Sequence, residues 1–286
     1  MRCARRRPTP GLRAAAVLAG LAAALPTHAQ EPERYHPFQQ DVEYHMEAML
    51  DEATAVLTGR ALLRYTNHAP EALDRLYFHQ YLNAFRPNSA WARYDLRFGV
   101  RTFQDLGPEE HGFERITGFT VDGAELAPVY PGSPDSTVFY VALPDPLEPG
   151  DTLEAVIDWQ ARLATEPRRQ GRRGRHYNWA HWYPRIAVYG ADGWEYRAHI
   201  RPGELNGTFG RYDVMLELPA DQVVGATGVP VYGYPGWGRA MEQGSEPPLY
   251  LRDYYGGHPA EALGLLGDMP TPDRKRLRWR AEQVHN

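Results

Sequence analysis

Eleven histidines, 36 carboxylates and a run of arginines are the side chains of this sequence with the most chemistry to offer. A zinc hydrolase sets two imidazoles one helical turn apart with a glutamate base between them, as H-E-x-x-H. That string is absent. The nearest to helical spacing are His176 and His181, and they fall in an irregular or extended stretch, which suits surface or hydrogen-bonded imidazoles. No G-x-S-x-G elbow presents a serine, and the single cysteine, Cys3, sits among N-terminal arginines. Gly233-Tyr-Pro-Gly-Trp-Gly238 has neither the lysine nor the following helix of a phosphate-binding loop. The basic run Glu166–Arg175 (EPRRQGRRGR) has the charge to meet phosphate or an acidic partner. It lacks interleaved aromatics and reads as a flexible, solvated loop. Asn206-Gly-Thr208 matches a glycosylation acceptor. Paired carboxylates carry no signal, because so many acids must meet by accident once folded.

The elements that would position these groups are strands. Val42, Tyr44, Met46, Ala48 and Leu50 alternate with polar residues, and Leu57, Gly59, Ala61, Leu63 and Tyr65 do so again after the turn-forming Asp51-Glu-Ala-Thr54. Period 2 on both sides of a turn predicts a long antiparallel hairpin. Leu73–Leu82, Thr137–Leu143 and Leu153–Trp159 are further extended runs, the last two joined by Pro144–Asp151. Asp122-Gly123 marks a tight hairpin turn. Tyr212, Val214, Leu216 and Leu218 alternate, as do Leu277, Trp279 and Ala281. Helical signals are nearly absent: Pro259–Leu266 has room for one or two turns, and 27 Gly with 25 Pro interrupt anything longer. The class is all-β, a large curved antiparallel sheet or sandwich, with an irregular Gly/Pro-rich insertion over Gly233–Gly257.

Met1–Arg13 is basic, Ala14–Leu25 is apolar, and Pro26-Thr-His-Ala29 offers small residues for cleavage. This is a secretory leader, expected to be cut after Ala29, leaving residues 30–286 as one domain in a secreted or periplasmic setting. Twelve apolar residues fall short of the ~20 that span a bilayer, and no other apolar run is long enough. Without Arg2, Arg5, Arg6, Arg7 and Arg13, 26 basic side chains face 36 acidic ones, a balance of −10. So acidic a domain is a poor partner for nucleic acid or anionic lipid through net charge.

Four stretches resemble, in order, the opening domain of bacterial M1 (gluzincin) aminopeptidases. Asp41–Phe85 is similar to that family's "LDEAT..LTG" and "YTN..P..L..LYFH.Y.NAF". Tyr177–Tyr189 (YNWAHWYPRIAVY), followed by Gly193-Trp194, looks like "QWYPRIAVYD..GW". Gly210-Arg-Tyr-Asp-Val214, Leu218-Pro-Ala and Val224-Gly-Ala-Thr-Gly228 resemble "G.YDV.I.LP....V.ATG". Leu277–Asn286 resembles the strand just before the family's catalytic domain. Gly238-Arg-Ala-Met-Glu-Gln243 faintly resembles the G-A-M-E-N substrate loop, but lacks its final Asn and is set aside as coincidence.

The resemblance implies an N-terminal, saddle-like β-domain packed on a thermolysin-like domain that holds the zinc, the general base and the G-A-M-E-N loop. It implies no catalytic residue, metal ligand or cofactor in this chain. The chain's partners would be its own C-terminal catalytic domain and a peptide substrate. The segment entering "WYPR" reaches the substrate pocket in that family, presenting Gln and Glu or Gln to the substrate's side chain and amine. His181 and Tyr183 occupy those places here, so substrate contact is expected from them with neutral acceptors. A different class also fits the composition: a secreted β-domain binding carbohydrate or protein through some of its seven Trp and eighteen Tyr.

Overall fold

Alternation becomes two faces of one sheet in the computed structural model, which describes residues 38–132, 135–166, 169–201, 205–237, 262–267 and 270–285. The expected leader, most of the 233–257 insertion and the 238–243 stretch lie outside the described residues. Strands β1 (Asp41–Asp51) and β2 (Val56–Thr66) pair in register from Asp41↔Thr66 to Asp51↔Val56. The Asp51 carboxylate makes their turn, accepting from Ala53 N at 3.0 Å and Thr54 Oγ1 at 2.7 Å. Strand β3 (Leu73–His79) leaves this sheet. Strand β4 (Phe113–Val121) turns into β5 (Ala124–Glu125) at Asp122 and Gly123, whose φ angles of 47° and 83° are those of a tight hairpin turn. Strand β6 (Val138–Leu147) pairs with β3, and β7 (Thr152–Arg162) returns to pair with β2 and β4.

After β7 the chain makes a short hairpin of β8 (Gln170–Arg173) and β9 (His176–Trp179). Next come β10 (Arg185–Ile186) against β3, and β11 (Tyr189–Gly190) against β12 (Gly193–Trp194). Strands β13 (Gly210–Pro219), β14 (Val229–Tyr232) and β15 (Arg274–Val284) complete the large sheet, in the order β14-β15-β13-β1-β2-β7-β4-β5. The smaller sheet β10-β3-β6 packs over it, with Phe78 and Phe139 against Phe119 at centroid distances of 5.3 and 6.2 Å.

The all-β class holds, with four local differences from the sequence reading. The large sheet is mixed: β1 and β13 run parallel. Alternation sets which face a side chain takes and says nothing of strand direction. Helix α1 (Ala90–Leu96) was not expected; Ser89 caps it, its side chain accepting from Ala92 N at 3.0 Å, and it is too short to show a period. Residues 262–266, the described part of the expected Pro259–Leu266 turn, are not helical. Within the basic run, Gln170–Arg173 forms β8 and not a loop. There Arg172 donates to Leu163 O at 3.0 Å and Glu109 O at 2.8 Å, and Arg175 bonds Glu52 and Asp221. A guanidinium with carbonyls and carboxylates in reach is an anchor as easily as a solvated charge.

On the large sheet, one face carries Val42, Tyr44, Met46, Leu57, Leu63, Ile157 and Trp159, all buried. The other face is a ladder of ion pairs across strands. Arg278 meets Asp213 at 2.5 Å, Arg274 and Arg276 hold Glu217 at 2.9 and 2.7 Å, and Arg60 meets Asp158 at 2.6 Å. Glu47, on this face of β1, accepts backbone N–H bonds from Leu263 (3.0 Å), Leu265 (2.7 Å) and Leu266 (3.0 Å). Bonds to an ionised acceptor are worth about 1.5–3 kcal/mol each. Glu47→Ala should therefore free 262–267 from the sheet without unfolding it. The amides of Leu263, Leu265 and Leu266 should exchange with solvent at least about tenfold faster, while those of β1 stay protected. Unchanged exchange at all three would refute the anchor.

Candidate functional site

The small sheet and the segment from Gly171 to Ala187 cover only part of the apolar face. Over β13 and β15 that face stays open and floors a groove of about 880 Å³, a size typical of ligand sites. Tyr212, Val214, Leu216, Leu218, Trp279 and Ala281 make the floor; Tyr177, Trp179, His181, Trp182 and Tyr183 form one wall and Gln222–Thr227 the other. This explains why the alternating residues Tyr212, Val214 and Leu216 are only half-buried in an otherwise well-sealed sheet.

Named bonds hold the walls. Trp159 Nε1 donates to Trp182 O at 3.1 Å. The Tyr44 hydroxyl donates to Pro184 O at 3.1 Å and accepts from Ile186 N at 2.9 Å. The rings of Tyr44, Tyr183 and Tyr212 lie within 5.2–6.0 Å of one another. Opposite, Trp237 Nε1 donates to Val224 O at 2.5 Å and its ring meets Trp279 at 5.9 Å. Arg175 ties the two walls together, donating to Glu52 at 2.8 Å and to Asp221 at 2.7 Å.

The structure places both residues expected to meet substrate on this groove. Tyr183 is half-buried, and burial, then its neighbour Tyr212, holds its phenol well above the usual range, so it is neutral. His181 has a φ of 52°, a left-handed conformation uncommon for any residue but glycine and costing about 1–3 kcal/mol. Its ring stands edge-on to Tyr81 at 4.9 Å, and Tyr81 also stacks on His79 at 4.8 Å and meets His199 at 5.2 Å. Three imidazoles thus surround one phenol ring. Burial holds all three neutral: His79 is lowered to about 4, His181 to about 3 and His199 to about 4. Arginine charge adds to the effect, from Arg185 at His79 and His181 and from Arg169 at His181 and His199.

Nothing in the sequence marks Tyr81, Arg169, Arg185 or His199 as members of this cluster. The strand pair Arg185↔His79 and the hairpin that seats Arg169 on the groove bring them together. Among the described residues no group of three or more His, Cys, Asp or Glu is placed to hold a metal ion. The imidazoles converge on an aromatic ring, and the adjacent arginines repel a cation. This donor set does not fit zinc.

No family model matches the chain, and no curated protein matches it. Among solved structures it is similar to an M1 zinc metallopeptidase from Deinococcus radiodurans, at 13% identity and a TM-score of 0.41. It is similar also to a variant from the same organism bound to a Tyr-Ser-Ala substrate, at 14% identity and a TM-score of 0.41. In both, the overlap takes in 85% of this chain and 39% of the other, so the chain spans well under half the length of these structures.

Proposed function

We propose that this chain is the non-catalytic N-terminal β-domain of a zinc aminopeptidase of the M1 family and forms one side of its substrate cleft. One observation carries the reading. The four sequence stretches that resemble the family, far apart in the chain, each reach a single groove, through Met46, His181–Tyr183, Tyr212 with Val214, and Trp279 with Ala281 and Val284. In this reading zinc, general base and the acid that meets the substrate's ammonium belong to a further domain. This chain contributes apolar walls that exclude water and two neutral hydrogen-bonding groups, His181 and Tyr183.

The coding sequence past Asn286 tests the assignment: an in-frame H-E-x-x-H is expected, and its product should release N-terminal amino acids in a chelator-sensitive way. In that product Tyr183→Phe removes one neutral hydrogen bond, about 0.5–1.5 kcal/mol. It should raise KM severalfold and leave kcat unchanged, while His181→Ala should alter preference for the first side chain. Wild-type kinetics in both variants would make these residues packing groups. A reading frame without the motif, together with oligosaccharide binding in the tryptophan-lined groove, would favour a carbohydrate-binding domain instead.

A further inference from the structure

Exposed apolar side chains are scattered over any protein surface, and singly they signal nothing. Here three of the ten large ones exposed among the described residues fall within five positions: Leu96 at 43%, Phe98 at 68% and Val100 at 39%. They stand on a turn whose every residue from Leu96 to Arg101 is exposed. The turn ends α1 tightly: Phe98 N and Val100 N both donate to Asp95 O at 3.0 Å, and Gly99 takes a left-handed φ of 73°.

Its base is fixed. The Asp95 carboxylate, 1% exposed, accepts from Trp91 Nε1 at 3.0 Å on one side and from the Thr102 hydroxyl on the other. Phe103 then packs against Phe85 and Trp91 at 5.4 and 5.7 Å. Phe98 has Tyr94 beside it at 5.2 Å, which leaves most of its ring in water. Such a turn is held outward by its two shoulders.

Charge selects the partner. From Asn88 to Gln104 the chain has Arg93, Arg97 and Arg101 against one acid, Asp95, which is buried and has Arg201 at 3.7 Å. Arg101 is paired with Asp105 at 2.5 Å. Arg93, one helical turn before Arg97, donates to a neutral carbonyl, Asn88 O, at 2.5 Å. The Arg97 side chain makes no hydrogen bond or ion pair among the described residues. Two uncompensated guanidinium groups thus flank the apolar apex, a local reversal in a chain of net charge −5. A protein partner would need a footprint of about 20–30 residues from this side, and this turn is far smaller. A lipid surface asks for less: apolar side chains that pass the headgroups, and cations at headgroup level.

We propose that residues 96–101 dock this chain on an anionic phospholipid surface. Phe98, with Leu96 and Val100, enters the acyl-chain boundary, and Arg97 and Arg93 meet the phosphates. This goes beyond the peptidase reading and does not depend on it.

A fluorophore on the turn tests the docking in the full chain. Cys3→Ser removes the native thiol, and Val100→Cys supplies one beside Phe98 for the polarity-sensitive label NBD. Because the basic, apolar leader can attach to vesicles by itself, the reading is the label's surroundings and not attachment. With phosphatidylcholine vesicles holding about one-third phosphatidylglycerol, NBD emission should rise and shift to the blue, and with phosphatidylcholine alone it should not. Phe98→Ser should lower the ratio of inserted to aqueous label about tenfold, and Arg97→Gln about fivefold. Both side chains are exposed, so circular dichroism should be unchanged in either variant. The same label at Val129→Cys, exposed elsewhere on the chain, should stay aqueous. No rise with the label at Val100, an equal rise with it at Val129, or an undiminished rise in Phe98→Ser would each overturn the proposal. So would a response to poly-L-glutamate without one to vesicles, which would make the turn a contact for an acidic protein.

Discussion

Between pH 6.5 and about pH 4 the fold should lose stability steeply, on the order of 5 kcal/mol or more. The cause is the cluster around Tyr81. His79, His181 and His199 titrate near 6.5 when unfolded, but burial lowers them to about 4, about 3 and about 4 in the fold. Their contribution is complete above the unfolded value and is lost as pH falls toward the folded values. In that window the unfolded chain binds three protons that the folded chain refuses. Glu114 acts with the opposite sign. Burial pushes its carboxyl well above the ordinary carboxylate value, so the fold holds a proton there that the unfolded chain releases. Glu114 therefore offsets part of the histidines' uptake, and the net uptake on unfolding stays positive, with each net proton giving about 1.4 kcal/mol per pH unit.

Carboxylates lowered by their partners, such as Asp221 by Arg175 and Asp74 by Arg75, act only below the usual carboxylate range and do not enter this window. Urea unfolding followed by circular dichroism at pH 7, 6 and 5 measures the slope. His199→Phe should lower it by one proton, because the ring can keep its place against Trp91 (5.0 Å) and Phe85 (6.1 Å). A stability profile that is flat from pH 7 to pH 5 would refute the buried neutral cluster.

The fold was legible where one face of a strand is buried, because burial on one face writes period 2 into the sequence. Tyr44, Leu63, Ile157 and Trp279 each sit on the face their alternation predicts. Strand direction was not legible, since β13 carries the same alternation whichever way it runs beside β1. Short elements were not legible either: seven residues in α1 cannot show a helical period, and β8 is hidden in a run whose charges suggested solvent. Of the candidate site, His181 and Tyr183 are legible because the resemblance to a family sequence pattern points at them. Arg169, Arg185, His79 and His199 are not, because what unites them is a strand pairing and a shared phenol ring. Spacing along the chain holds no trace of either.

Gly59→Ala should cost about 2–5 kcal/mol, although alanine normally suits an extended backbone better than glycine does. Gly59 pairs with Trp159 across β2 and β7, and a methyl on its Cα would lie 2.3–2.6 Å from three atoms of the indole. Real Cβ atoms do not approach so closely, so ring or strand must move. Trp159 is fully buried, and its Nε1–H donates to Trp182 O, so a shifted indole leaves a buried donor unpaired. Overpacking of this kind costs about 1–3 kcal/mol, and an unsatisfied buried group about the same again. A double-mutant cycle separates the clash from any general weakness of the strand. Trp159→Phe alone should destabilise through the space it leaves, yet in the Gly59→Ala background it should cost far less, because the methyl occupies that space. The coupling should be about 1–3 kcal/mol, and simple additivity in urea unfolding would show that no clash exists. The effect also reaches the groove, since Trp182 is part of its wall. If the wall depends on that indole, Gly59→Ala should disturb the Trp182 wall even where most of the protein is still folded, and Trp159→Phe should not restore it, because phenylalanine has no N–H to give to Trp182 O.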